Sequence, residues 1–422
     1  MKIEVLENRF GFEPEDLFLV GKRVNNEKRN FLFISKLLGK HLEVFPDVCK
    51  AAGRLLASLR FPEISAEPMV EYLKRPVSVD KRVKQELENA VSVKEKVLIL
   101  GFAETATGLG MSVAAAIRGS VYYTTTREEL SEVPCLFSFE EEHSHATTHR
   151  FYDGLGTNFD EFDEILLVDD EITTGKSMLN LITQISAVSK VKKFGILTVL
   201  DWRNEEHRKK YEQMKQEKGI SIAVYSVFSG SVTSEAGMIY EDTCEMLSNV
   251  KTRAISDFHS SMRVEYETKK GTRRSYYRDG GRFGVTQEQI QELEEECVAV
   301  AKEVSHVIGS EKPKKVLILG HGEDIYLPSR VASYIDSMHE VFFRTTTRSP
   351  IYVDGEIIKQ KHSFLDEEGV QYYFYNKEEA EETYDCILFL EEFPLGVSFG
   401  DKVLPLVLWK EDGESEKLVS FL

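Results

Sequence analysis

Short, nearly unbroken apolar runs recur along the chain at Val97–Leu100, Ile165–Val168, Ile196–Leu200, Val316–Leu319 and Ile387–Leu390. Runs of this length suit strands buried on both faces of a parallel sheet. Between them lie segments of helical periodicity, such as Ser112–Arg118 and Lys176–Ala187. Such alternation predicts crossover units and a doubly wound sheet. Glu205–Glu217 is charged throughout and predicts an exposed helix, and Thr286–Val307 predicts another with Thr286 at its N-cap. Thr252–Phe283, rich in Arg, Tyr and Gly, breaks the pattern and reads as a linker or docking loop.

The pattern occurs twice. Lys96-Val97-Leu98-Ile99-Leu100-Gly101 returns unchanged as Lys315-Val316-Leu317-Ile318-Leu319-Gly320. Val121-Tyr122-Tyr123 returns as Val341-Phe342-Phe343, Thr124–Arg127 as Thr345–Arg348, and His143-Ser144 as His362-Ser363. Phe162–Asp170 parallels Tyr384–Glu392. The offset stays between 219 and 222 throughout. Five matches in one order predict two copies of an α/β unit, that is, two tandem doubly wound parallel-sheet domains. The 422 residues also exceed one ordinary core. The expected division is 1–245, a linker or docking region 246–285, and 286–422.

Net charge is −18, which argues against non-specific binding to nucleic acid. It does not exclude a small anion held by a local nest of amides. The five cysteines are scattered, with no Cys-x-x-Cys pair, which fits a reducing compartment. No apolar run reaches membrane-spanning length and no signal-peptide pattern opens the chain. The expectation is a cytoplasmic protein with no membrane partner.

The segment with the clearest chemistry is Ile165–Ser177. An apolar strand ends in Asp169 and Asp170, a loop of Thr173, Thr174 and Gly175 follows, and a helix begins near Ser177. Loop amides and a helix N-terminus favour a phosphate. Hydroxyls of Thr173, Thr174 and Ser177 add donors, and Gly175 admits close approach. The adjacent carboxylates suit sugar hydroxyls, so strand, acids and loop together describe a ribose 5-phosphate site. A nucleoside-triphosphate P-loop would need glycine where Asp170 stands. A phospho-acceptor pocket would leave the Thr-Thr-Gly loop unexplained, and a strand–turn–helix without ligand is the bland alternative.

Ile165–Ser177 resembles the phosphoribosyl pyrophosphate (PRPP) signature of type I phosphoribosyltransferases. The resemblance implies that Asp169 and Asp170 hold the ribose, and that Thr173, Thr174, Gly175, Lys176 and Ser177 hold the 5-phosphate. Lys176 departs from the small residue common there. Gly101–Gly110, with Glu104 and Thr105, resembles the glycine-containing turn behind the PRPP site. Ser35–His41 offers Lys36 and Lys40 as pyrophosphate cations, and Arg127 is a further phosphate candidate. Glu140–Tyr152 resembles a lid that folds over PRPP, with His145, His149 and Arg150 meeting pyrophosphate charge. His143, His145 and His149 make zinc the competing reading. The implied reaction is displacement of pyrophosphate from Mg-PRPP by a nitrogen base, giving a nucleotide-like metabolite. Mg2+ would be bound through PRPP rather than by protein ligands. The rival expectation is a non-catalytic PRPP- or nucleotide-sensing regulator.

Ser35–His41, Gly101–Gly110, Glu142–Thr147 and Asp169–Gly175 are together similar to a narrower bacterial family. Its C-terminal half is named after a Thr-Arg-Ser-Pro motif, present here as Thr347–Pro350. That family accompanies tellurium-resistance and stress-response gene clusters. The resemblance makes partner enzymes of a biosynthetic operon, and a homodimer, the assemblies to look for. Residues 61–94 stand as an insertion. In the second copy the acid pair is Glu391-Glu392, but Pro394-Leu395-Gly396-Val397 replaces the phosphate loop, so a degenerate copy that does not bind PRPP is expected. His321, Glu323, Arg348 and Ser349 are its ligand candidates, for binding or processing the product. Alternatively they serve only polar networks in a structural or regulatory half.

Overall fold

The computed structural model describes residues 2–24, 29–77, 79–140, 148–233, 239–241, 244–247, 253–254, 263–392, 395 and 403–407. The chain divides into two compact units. The first comprises Met1–Glu13, Cys49–Glu235 and Asp279–Glu292; the second comprises Pro14–Val48, Ala236–Arg278 and Leu293–Leu422.

The first unit is built on a seven-stranded sheet. In chain order its strands are β1 (Lys2–Asn8), β2 (Val97–Gly101), β3 (Val121–Thr124), β6 (Glu164–Ile172), β7 (Lys193–Asp201), β8 (Ser221–Thr233) and β9 (Val285–Thr286). β4 (Cys135–Glu140) and β5 (Thr148–Tyr152) form a separate antiparallel arm between β3 and β6. Across the sheet the order is β1-β8-β7-β6-β2-β3-β9. The five central strands are parallel and the outer two antiparallel. Val97–Leu100 and Ile165–Val168 are buried, as unbroken apolar runs require when helices cover both faces. The helices used below are α1 (Val48–Arg60), α2 (Ala106–Ala115), α3 (Lys176–Val188) and α4 (Glu205–Lys218). Residues 61–94 contribute two short helices, Glu67–Lys74 and Lys81–Glu88.

The second unit has a five-stranded, all-parallel sheet. Its strands include β10 (Lys315–His321), β11 (Glu340–Thr346), β14 (Cys386–Glu391) and β15 (Val403–Val407), with Arg253–Ala254 at one edge. An antiparallel arm, β12 (Lys361–Leu365) and β13 (Gln371–Tyr375), lies between β11 and β14 in sequence. The order β11-β10-β14-β15 repeats the β3-β2-β6-β7 of the first unit.

The repetition extends to single hydrogen bonds. Lys96 N donates to Asp163 Oδ2 at 2.8 Å, and Lys315 N to Asp385 Oδ2 at 2.8 Å. Leu130 N donates to the Tyr152 hydroxyl, and Ile351 N to the Tyr375 hydroxyl, both at 2.9 Å. Thr126 exchanges backbone bonds with Arg150 as Thr347 does with Tyr373. Leu130 with Tyr152, Ile351 with Tyr375, and the partners Arg150 and Tyr373 lie outside the matching words of the sequence.

Two segments belong elsewhere than a contiguous division at 1–245, 246–285 and 286–422 implies. Pro14–Val48 assembles with the second unit: Val44 exchanges backbone bonds with Phe343 at 2.9 and 2.8 Å, and Thr345 N donates to Gly39 O at 2.7 Å. Asp47 also pairs with buried Arg330 at 2.6 Å. Asp279–Glu292 closes the first unit, where β9 covers the open edge of β3 and Thr124 N donates to Gly281 O at 2.9 Å. The expected linker therefore ends in sheet pairing, because an uncovered edge strand leaves backbone groups unpaired.

Candidate active site

In the first unit β2 and β6 are hydrogen-bonded neighbours, yet β2 leads on to β3 on one side and β6 to β7 on the other. Chains diverging in this way leave a crevice at the carboxyl ends of the two strands, where open α/β sheets bind ligands. Gly101 lies in register with Val168, so the turn after β2 stands beside the acid pair that ends β6. Phe102 N donates to Val168 O at 3.2 Å, and Ala103 N to Thr125 Oγ1 at 2.9 Å. The Ala103–Glu104 peptide is cis.

Asp169 and Asp170 are half-buried, whereas the apolar residues before them are fully buried. They thus sit where the fully buried part of the strand ends. Thr173, Thr174 and Ser177 are half-buried and Lys176 is exposed. α3 begins at Lys176, one residue before the expected start. Gly175 is its N-cap, with φ +72° and no side-chain cap. Gly175 offers no cap side chain to the first turn of α3, and Lys176 N donates to Thr174 Oγ1 at 3.3 Å; helix N-termini of this kind are where phosphates bind.

Behind this loop lies a support not foreseen from the sequence. α4 is mostly charged, and Tyr211 is its buried residue. The Tyr211 hydroxyl donates to Gly175 O at 2.8 Å. A Cβ at Gly175 would lie 2.1 Å from that hydroxyl oxygen. The Arg203 guanidinium stands 4.3 Å from the centre of the Tyr211 ring. Asp201, at the end of β7, accepts from Arg203 Nε and Nη2 at 2.9 Å each. The one signal in the sequence was a lone aromatic on a charged helix.

The remaining candidates separate. Glu104 is buried and forms a 3.5 Å ion pair with Arg127; it serves there as a counter-ion. Thr105 precedes the first turn of α2 and is half-buried. Arg150 donates to Arg127 O at 3.2 Å and pairs with Glu129 at 3.1 Å, bracing the chain after β3. His149 differs from the lid expectation. Its ring is fully buried, stacked on Phe139 at 5.1 Å, with Nδ1 2.9 Å from Thr125 Oγ1. On strand β5 alternate side chains face the core, and position 149 is one of them. His143 and His145 lie outside the described residues. Lys36 and Lys40 lie in the second unit, where Lys36 Nζ donates to Glu15 O at 2.7 Å.

In the second unit the corresponding acids are occupied or buried. Glu392 accepts from Tyr277 N at 2.8 Å, and its backbone oxygen accepts from Arg263. Both donors lie on the hairpin of Arg263–Glu267 with Arg273–Tyr277, whose Arg274 pairs with Asp366 at 3.3 Å. Glu391 is fully buried, and burial pushes its carboxyl up to about 8. Leu395 N donates to it at 3.4 Å; Pro394, Gly396 and Val397 lie outside the described residues. His321 is buried with Nδ1 2.8 Å from Thr346 Oγ1, and burial followed by nearby Arg348 and Arg274 holds it neutral. Arg348 donates to the Tyr372 hydroxyl at 2.6 and 3.0 Å. Ser349 N donates to Thr347 Oγ1 at 3.1 Å, and Glu323 is half-buried in the turn after β10.

Among the described residues, the group whose side chains approach metal-ligand spacing is Glu245, His362 and Glu378, in the second unit. No helix among them is long and apolar enough to cross a membrane.

A parallel sheet with an acid pair and a glycine-capped helix start at its switch point defines an α/β protein of the doubly wound class. Residues 17–231 match the family described as phosphoribosyl transferase, and residues 279–397 match the TRSP domain found C-terminal to it. The chain belongs to this phosphoribosyl transferase family. Solved structures similar to it include adenine phosphoribosyltransferase from Rhodothermus marinus, at 15% identity and TM-score 0.28, covering 51% of this chain and 95% of that one. Another is the Trypanosoma brucei enzyme in complex with AMP, pyrophosphate and ribose-5-phosphate, at 16% identity and TM-score 0.24. That match covers 31% of this chain, which spans little more than half, 56%, of the trypanosomal one. A hypoxanthine phosphoribosyltransferase from Staphylococcus aureus matches at 13% identity and TM-score 0.23, covering 39% and 69%. No curated protein matches the chain.

Proposed function

We propose that the first unit transfers the phosphoribosyl group of PRPP to a nitrogen base. The observation that carries this is the half-exposed Asp169–Asp170 pair running into the uncapped N-terminus of α3, at the switch point of the sheet. The acids accept from the ribose hydroxyls. Thr173, Thr174, Ser177 and the first amides of α3 donate to the 5-phosphate, with Lys176 adding charge at the rim. In the reaction the nitrogen lone pair forms a bond to the anomeric carbon while the carbon–oxygen bond to pyrophosphate breaks. The bonding electrons leave with pyrophosphate, and the base gives up its proton to solvent. Holding both ends of the pentose fixes that carbon for in-line attack, and positioning supplies most of the rate.

Arg127 and Arg150 are the first-unit cations for the leaving group, with Glu104 and Thr105 shaping the turn beside it. The half-exposed carboxylates suit Mg2+ arriving with PRPP, a hard cation that keeps several waters, and it would offset pyrophosphate charge. In the second unit the acid pair is not available to a pentose. The corner of His321, Glu323, Arg348 and Ser349 is left as the place where the product is bound or processed.

The test mixes the full chain with Mg-PRPP and a panel of nitrogenous bases and measures pyrophosphate release. Release with one base, abolished in Asp169→Asn/Asp170→Asn, is the expected result. PRPP binding without release for any base would make the protein a sensor instead. Undiminished PRPP affinity in the double variant would remove the site assignment.

A further inference from the structure

We infer that Tyr211 is a positioning residue for the 5-phosphate loop, acting through the carbonyl of Gly175 on the amide of Lys176. This rests on the phosphoribosyl reading of that loop and deepens it.

Gly175 O receives two donors, the Tyr211 hydroxyl at 2.8 Å and the first intrahelical bond from Leu179 N at 3.2 Å. A trans peptide is planar, so its C=O and the following N–H point in opposite directions. Fixing the carbonyl of Gly175 from behind therefore aims the Lys176 N–H forward, into the turn, where it meets Thr174 Oγ1 at 3.3 Å. An anion in that turn would receive both the amide and the threonine hydroxyl.

The support behind the carbonyl is rigid. Tyr211 is 2% exposed, and Arg203 over its ring is gripped through two bonds by Asp201. Asp201 itself lies in register with Ile172, and Trp202 N donates to Ile172 O at 2.8 Å. The entry to the loop and the prop behind its exit thus hang from the same strand end. α4 is otherwise mostly charged or polar; Tyr211 is the residue it buries, and Arg208 adds a 3.2 Å pair with Asp201. Only glycine fits at 175, because the hydroxyl stands where a Cβ would be.

Tyr211→Phe keeps the ring, its packing and the Arg203 contact, and removes only the donor. The full-length variant is compared with the parent by calorimetry against ribose 5-phosphate and, separately, pyrophosphate. Affinity for ribose 5-phosphate is expected to fall about threefold to tenfold, the range one hydrogen bond allows, with pyrophosphate unchanged. The KM for PRPP should rise by a similar factor while kcat changes less than about twofold. Unchanged ribose 5-phosphate affinity, or parallel weakening of both ligands, overturns the inference. If Asp169→Asn/Asp170→Asn loses PRPP while Tyr211→Phe behaves as the parent, the inference fails and the phosphoribosyl reading stands. If the double variant also binds PRPP normally, the reading itself fails.

Discussion

Alanine at position 175 probes the same turn by a different route. Gly175 has φ +72°, and placing an L-residue in the left-handed region costs about 1–2 kcal/mol. The added Cβ would stand 2.1 Å from the Tyr211 hydroxyl oxygen and 2.9 Å from its ring carbon Cζ. Neither atom is at the end of a flexible chain, since the ring is buried and backed by Arg203. Either the phenol or the loop must move, and the Tyr211–Gly175 bond is lost at about 0.5–1.5 kcal/mol. The two effects together disfavour the phosphate-ready turn by about 1.5–3.5 kcal/mol. That corresponds to a fall in PRPP affinity of roughly 10-fold to 400-fold. Isothermal calorimetry on Gly175→Ala measures it, with thermal unfolding as the control for the remainder of the unit. Affinity within about threefold of the parent, at unchanged Tm, would refute the view that this turn cradles phosphate, because a sub-kcal/mol effect is incompatible with both costs.

Other predictions concern the frame around the two acid pairs. Glu164, buried at the start of β6, accepts from Arg60 and lies 3.1 Å from Lys193; Glu164→Ala should cost about 1.5–3 kcal/mol, because the half-buried Arg60 loses its charge-assisted bonds to it, read as a lower Tm for the first unit. Lys193 and then Arg60 hold the nearby Glu95 carboxyl down at about 2. Its contribution to stability is therefore complete above the ordinary carboxylate pKa and lost as pH falls from about 4.5 toward 2, so Lys193→Met should flatten the acid limb of a Tm-against-pH curve. Glu391 behaves with the opposite sign. With its folded carboxyl near 8, stability is complete below the unfolded pKa and declines as pH rises toward 8. Glu391→Gln should make unfolding of the second unit less pH-dependent across pH 5–8, and an unchanged slope would count against the buried protonated acid. Glu294 accepts from Arg330, Tyr326 and Tyr334 in the second unit; Glu294→Ala should lower stability there by about 3–5 kcal/mol, measured by thermal unfolding, with first-unit PRPP affinity unchanged.

The strands and the placement of the acid-and-loop segment were readable because their information is local. Val97–Leu100, Ile165–Val168, Ile196–Leu200, Val316–Leu319 and Ile387–Leu390 all lie within strands. A continuous apolar run has few other places to go when helices cover both faces of a sheet. Asp169, Asp170 and the Thr-Thr-Gly turn are contiguous, so their juxtaposition follows from chain connectivity. Repetition at a near-constant offset likewise announced two units of one topology.

Long-range partnership was not readable. Whether His149 faced ligand or core depended on which side of the β4–β5 arm packed inward, and Phe139 and Thr125 decided that. Lys36 and Lys40 looked like phosphate cations by composition, yet pairing of Val44 with Phe343 carries their segment into the second unit. The acids Glu391 and Glu392 resembled the first pair in sequence, but a hairpin from outside the matching words occupies Glu392. By itself, then, the sequence determined the elements, the repeat and the acid-and-loop signature, all products of periodicity and adjacency. Tertiary structure alone decided which charges face a cleft and which are spent on one another, because desolvation and pairing depend on neighbours that are close in space and distant along the chain.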